Sequence, residues 1–424
     1  MKVLILILIF IFKLSFQNLL KIPFRTENPI LKYFDVPIEN REIVYFQIGE
    51  PEKKTPLIIK FNHYYYFISG SQIKNSTYNE SNSNTYKRLS NELSEINPSF
   101  HIKGYKSEEK FKFPTNKNNL VTVNNFFFYL SSESEIEDNY LGFLGLQIKP
   151  HKQSKDDNNF ITLLKKNNII KNYIWSIKYE NENNGFLLIG DYPHNFDNLN
   201  YNKNQLKNTK TETLSNANMW EIKFDKIFYN NNELKIKTKA ILRIENGIIL
   251  GPKDFKKIFY DTYVNNKTCE QYEVNMESED NVYGFKCYIN KFKKEYFKPL
   301  TFLHKELNFN YSLNGDDLFI KHEDFYYFLI IFETTPTQNY DWVFGKPFLK
   351  KYQFVFDSDG KKIEFYNTNI KIEKENSIFA IFLIIFLFII LACLIYMLSL
   401  FLRKKRKSRV NEIDEIYEYI PTNN

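Results

Sequence analysis

The fold of this chain turns on AILRIENGIILGP, residues 240–252. Two apolar runs, 240–242 and 248–250, flank a centre that carries Arg243, Glu245, Asn246 and Gly247. What this centre does depends on the compartment the chain occupies and on the order of the motifs around it.

The two ends address the compartment. Residues 1–17, MKVLILILIFIFKLSFQ, place one lysine before a short apolar run, the pattern of a secretory signal peptide cut near residues 16–18. Residues 377–402 contain no charged side chain, and spanning a bilayer takes about 20 apolar residues. RKKRKSR follows at 403–409, and basic residues mark the cytosolic end of a span. The expected topology is a single-pass type I membrane protein of the secretory pathway, at the cell surface or an endosomal or vacuolar membrane. Its cytosolic tail, 403–424, carries Tyr417-Glu418-Tyr419-Ile420, which has the form of an endocytic sorting signal. The formal charge of +7 comes largely from the juxtamembrane cluster and implies no nucleic-acid partner.

Of the 3 cysteines, Cys393 falls in the apolar segment, so Cys269 and Cys287 remain for a bridge on the oxidising side. Sequons at Asn75, Asn79, Asn266 and Asn310 are candidate glycosylation sites. The 6 histidines have no metal-ligand spacing, and no metal or cofactor is implied. The chain holds 41 Phe and 30 Tyr beside many Asn and Lys, a bias that AT-rich codons produce, so the aromatics argue for no ligand class.

Between signal and span lie about 360 residues, more than one ordinary core, which predicts two lobes. The pattern is mainly strand: REIVYFQIG, PLIIKF, NNFFFYL, GFLLIG, MWEIKFDKIFY and QFVFDSDGKKIEFY are short β-branched and aromatic runs between Asn, Gly and Pro breaks. NNFITLLKKNNII, residues 158–170, predicts the main helix. The expected layout is a pro-like segment or N-terminal strand at 18–42, β lobes at 43–198 and 219–368, and a linker at 199–218.

The motifs then fall in a known order. IGEP (48–51), LGFLGL (141–146), the 158–179 helix-and-strand segment, GFLLIGDYPHNF (185–196), MWEIKFDKIFYN (219–230), the 240–252 stretch and WVFGKPFLKKYQFVFDSDGKKIEF (342–365) resemble, in sequence and spacing, the landmarks of pepsin-like aspartic proteases. The resemblance covers roughly residues 43–367. It implies a bilobal, mainly β fold in which each lobe contributes one strand and loop to a long central cleft. It also places Cys269 and Cys287 where the family closes a loop of its second lobe.

The resemblance does not extend to the acids. In the family two aspartates share one proton, one acting as base toward water and the other as acid toward the scissile carbonyl. Those positions hold Lys60 and Arg243 here. A guanidinium accepts no proton, and no Asp or Glu occurs between Glu52 and Glu80. Glu245 lies two places beyond Arg243 and has no partner acid in sequence. Asn62, His63 and Gly247 line the vestigial cleft in this reading, and HIKGYKSEEK (101–110) aligns with the flap hairpin, placing Lys103, Gly104 and Tyr105 over it. The implied protein is a membrane-tethered pseudoprotease that binds a peptide or protein partner. Family membership alone implies the alternative, an active aspartic endopeptidase.

Overall fold

The β-branched and aromatic runs become strands because their alternating side chains reach cores on two sheet faces. The computed structural model describes residues 19–27, 41–61, 63–64, 66–92, 94–97, 102–115, 119–133, 141–147, 159–197, 200–210, 219–236, 238–274, 282–333, 341–367, 396–397 and 400. The described residues up to Asn367 form one compact unit, and the three described beyond it belong to a second. The expected signal peptide and cytosolic tail lie outside the described residues, as does the expected span apart from Tyr396, Met397 and Leu400. Among the described residues no helix is long and apolar enough to cross a membrane.

The first unit is mainly β. Its two halves repeat one arrangement of four strands. In the first half Lys53–Lys60 runs parallel to Gly142–Gly145, which pairs with Phe67–Ser69, which runs parallel to Leu120–Glu133. In the second half Lys239–Leu242 runs parallel to Trp342–Phe344, which pairs with Ile249–Gly251, which runs parallel to Ile330–Glu333. Each half thus inserts a strand from late in its sequence between two earlier ones. These inserted strands are LGFLGL and WVFG in the sequence, and their surroundings require glycine. A Cβ on Gly142 would lie 2.2 Å from the Phe67 carbonyl oxygen.

Backbone hydrogen bonds join the halves. The last hairpin of the unit, Phe354–Asp357 and Lys362–Tyr366, adds to Ile174–Tyr179 of the first half. Leu20–Glu27 lies between Asn184–Ile189 and Arg41–Ile48, so this part of residues 18–42 is a strand in the same 14-stranded sheet. The stretch expected as a linker contains a further strand, Leu206–Lys210, paired with Lys362–Tyr366. Its sequence, LKNTK, buries only Thr209, so an edge strand with little apolar alternation reads as loop.

The helix expected over 158–170 is Phe160–Lys166, capped by Asn159, with its first five residues buried. Cys269 and Cys287 form a disulfide across the hairpin of Cys269–Val274 and Val282–Tyr288. The four sequon asparagines are exposed.

Candidate functional site

Strand register fixes where Lys60 and Arg243 fall. Lys60 ends its strand opposite Gly145, and the Leu146 N–H donates to the Lys60 carbonyl at 2.8 Å. Leu242 ends its strand opposite Phe344, so the next residues, Arg243 and Gly345, stand in the same relation as Lys60 and Gly145. The Arg243 N–H donates to the Phe344 carbonyl at 2.9 Å. Lys60 and Arg243 are therefore equivalent positions of the repeat, each leading from a strand into a loop.

The two loops touch. The Phe61 N–H donates to Glu245 Oε2 at 3.3 Å, a bond between residues 184 apart in sequence. Glu245 is buried, and its Oε1 has no hydrogen-bond partner among the described residues. Trp220 of the second half, fully buried, donates its indole N–H to the Leu146 carbonyl at 3.0 Å.

His63 lies half-buried within the first loop, its ring 5.3 Å from the Phe143 ring. The Lys60 ammonium sits 5.4 Å from the centre of that same ring. Burial, then the charges of Lys60 and Arg243, push the His63 pKa down to about 3. An imidazole beside two cations stays neutral because a third positive charge there is repelled. Asn62 lies outside the described residues. Gly247 borders a cavity of about 390 Å³ together with Glu182, Lys346 and Lys350.

The segment aligned with the flap lies in a pair of consecutive antiparallel strands. Ile102–Pro114 is one long strand bonded to Leu120–Glu133 on one side and to Ser94–Asn97 and Lys87–Arg88 on the other. Gly104 pairs with Ser94 and Lys103 with Glu95, so both sit within the sheet. The Lys103 ammonium is 3.7 Å from the Glu133 carboxylate, and the Arg88 guanidinium lies 4.0 Å from the centre of the Tyr105 ring. A Lys-Gly-Tyr triplet suits a turn tip by composition. Here the alternating KSEEKFKF that follows extends the strand back through it.

Several residues that position the site escaped the sequence reading. Asn159 is buried and holds three segments: its Oδ1 accepts from the Ile161 and Thr162 N–H groups, and its amide donates to the Tyr64 carbonyl at 2.9 Å and the Gly145 carbonyl at 3.5 Å. An Asn immediately before an apolar helical run is a cap signal that could have found it. Replacing Asn159 by alanine removes the cap and leaves buried backbone groups unsatisfied, an expected loss of about 2–3 kcal/mol. A urea unfolding midpoint unchanged by Asn159→Ala would refute that role.

Beneath the loops is a buried polar group drawn from both halves. Glu42 is fully buried and accepts from the Tyr179 hydroxyl at 3.2 Å. Burial pushes its pKa up to about 7, against the opposing pull of the Lys346 charge, and the Glu245 charge adds to the rise. Lys346, also buried, donates to the Glu182 carbonyl at 2.7 Å, and burial lowers its pKa. No sequence signal marks this group, because its members are distant in the chain. Among the described residues no three His, Cys, Asp or Glu side chains could hold a metal ion.

A mainly β chain with two copies of one strand arrangement, each ending in a loop that meets the other, defines the architecture of the pepsin-like proteases. The comparisons agree: the sequence profile of the eukaryotic aspartyl proteases matches residues 61–368, and the chain belongs to this family. Its fold is similar to the crystal structure of basic 7S globulin from soybean, at a TM-score of 0.60 and 14% identity over 82% of this chain and 95% of that one. It is equally similar to conglutin gamma, a basic 7S globulin from lupine seeds, at a TM-score of 0.60 and 15% identity over 83% of this chain and 95% of that one. At these identities the likeness is one of fold. No curated protein matches the sequence.

Proposed function

We propose that this protein is a pepsin-like pseudoprotease that binds a peptide or protein without cutting it. One observation carries the reading. The two equivalent strand ends of the repeat present Lys60 and Arg243, where general acid-base chemistry on an amide needs a titrating carboxyl pair. The nearby carboxylate of Glu245 accepts from the Phe61 backbone, and His63 is held neutral rather than poised to exchange protons near pH 7. The structural neighbours are themselves named globulins, so the fold is carried by proteins whose names claim no proteolysis. We place the chain in the secretory pathway, anchored by the apolar segment at 377–402 with the β unit on the luminal or extracellular side.

The test is to incubate the full-length protein in detergent with a peptide library from pH 3 to 7, beside an active aspartic protease. The expected result is intact peptides, and no rise in melting temperature with pepstatin, a statine-type inhibitor of the family. Cleavage that Glu245→Gln abolishes would establish an endopeptidase instead. For the topology, the sequons should carry sugar that a glycosidase removes, and the 403–424 tail should be digested by protease added to sealed microsomes. A protected tail would reverse the orientation.

A further inference from the structure

Lys60 is a half-buried residue whose ammonium has no carboxylate partner among the described residues; its close contact is the ring of Phe143. A cation without a counter-ion favours a passing anion, and a second cation nearby adds to that pull. Arg243 supplies that second charge, since both side chains act on the same His63 ring. The carboxylate that could neutralise Lys60 from within the protein does not: the bonded oxygen of Glu245 is turned to the Phe61 N–H.

We propose that the centre formed by Lys60, Arg243 and His63 is a carboxylate-binding site, which receives an acidic side chain or the C-terminal carboxylate of a peptide lying across the ends of the two strand pairs. This rests on the non-proteolytic reading above and names the ligand chemistry for it. A planar guanidinium matches a carboxylate with two parallel N–H donors. Lys60 adds a point charge from the opposite, equivalent strand end. His63 beside them stays neutral and adds no third charge. Phe143, beneath both Lys60 and His63, provides an apolar floor against which the ligand's methylene groups lose water.

The site is tested with the full-length protein in detergent micelles, immobilised by its C-terminal tail. It is exposed to N-acetylated randomised heptapeptides, one pool amidated and one with free C-termini, and the retained peptides are read by mass spectrometry. Retained amidated peptides are expected to be enriched in Asp and Glu over Asn and Gln by about tenfold or more. If the C-terminal carboxylate is the ligand, the free-acid pool is retained over the amidated pool by a similar factor whatever its side chains. Lys60→Met and Arg243→Met keep the apolar stems and should bring either ratio close to one, while Lys60→Arg should restore part of it. Circular dichroism of each variant confirms that the β unit is folded, and Lys60→Gln replaces any methionine variant that is not. Ratios near one in the wild type, or ratios that survive both charge removals, overturn the carboxylate site. Cleaved peptides would instead overturn the non-proteolytic function, whereas peptides that stay intact without acidic enrichment leave that function standing and remove only the carboxylate site.

Discussion

Gly345→Ala is expected to destabilise the β unit by about 3 kcal/mol or more, enough to abolish cooperative folding in a protein of ordinary stability. A Cβ at this position would lie 2.2 Å from the carbonyl oxygens of both Asn246 and Ile248. Neither atom belongs to a side chain that can swing away. Both are backbone of the loop that follows Arg243, through which the chain passes from Trp342–Phe344 into the helix Lys346–Lys351. The Lys346 N–H donates to the Asn246 carbonyl at 2.8 Å, so the crossing is clamped as well as tight. Reducing the conformational freedom of the unfolded chain favours alanine by less than about 1 kcal/mol and cannot offset the clash. Chemical unfolding followed by circular dichroism measures the effect. A midpoint within experimental scatter of the wild type would mean that the loop and strand do not cross as described. Because the crossing also positions Arg243, a folded Gly345→Ala protein should lose the charge-dependent peptide retention before it loses its secondary structure.

Glu42→Gln should change how stability depends on pH. The folded-state pKa of Glu42, about 7, is above its ordinary value of 4.5. The folded protein therefore holds this proton more tightly than the unfolded chain does. Its contribution is fully present below pH 4.5 and is lost as pH rises through 7, a loss of about 3 kcal/mol by linkage. Glutamine cannot ionise yet still accepts from the Tyr179 hydroxyl, so Glu42→Gln should be the more stable protein at pH 8. The gain is smaller than the full linkage value because Lys346 loses a nearby negative charge. His63 acts in the opposite sense: its depressed pKa makes stability full above 6.5 and lost as pH falls toward 3. Between pH 4.5 and 6.5 the two slopes oppose one another, and removing Glu42 exposes the His63 slope. Identical pH dependence of the unfolding midpoint in Glu42→Gln and wild type would show that Glu42 does not carry this proton.

Both predictions concern residues that the sequence reading passed over, and the reason is the same for each. Gly345 stands inside the WVFG motif, but its packing against Asn246 and Ile248 comes from a contact almost 100 positions away in sequence. Glu42 looked like one polar residue of an alternating strand. It is buried because Tyr179 and Lys346, from two other elements, close over it. Periodicity reports which face of an element is apolar, but it carries no information on which polar residues other elements will cover.

The sequence determined the elements and their order. Apolar runs of the right length between Asn, Gly and Pro made the strands of both halves, and the cap residue before FITLL set the start of the helix Phe160–Lys166. Spaced motifs identified the family because each glycine and aromatic in them serves a local constraint that survives when the rest of the chain drifts. Strand pairing makes Lys60 and Arg243 equivalent positions of the repeat, since parallel strand pairs admit one register once an inner face is buried. Tertiary structure alone decided the rest. It made a strand of LKNTK by pairing it with Lys362–Tyr366, and it made Ile102–Pro114 one long strand, antiparallel to Ser94–Asn97 just before it. It also brought Glu245 to the Phe61 N–H across 184 residues and left Lys60 against Phe143. These outcomes are set by hydrogen-bond partners and charges distant along the chain, and a chain of residue types holds no record of such distances until it is folded.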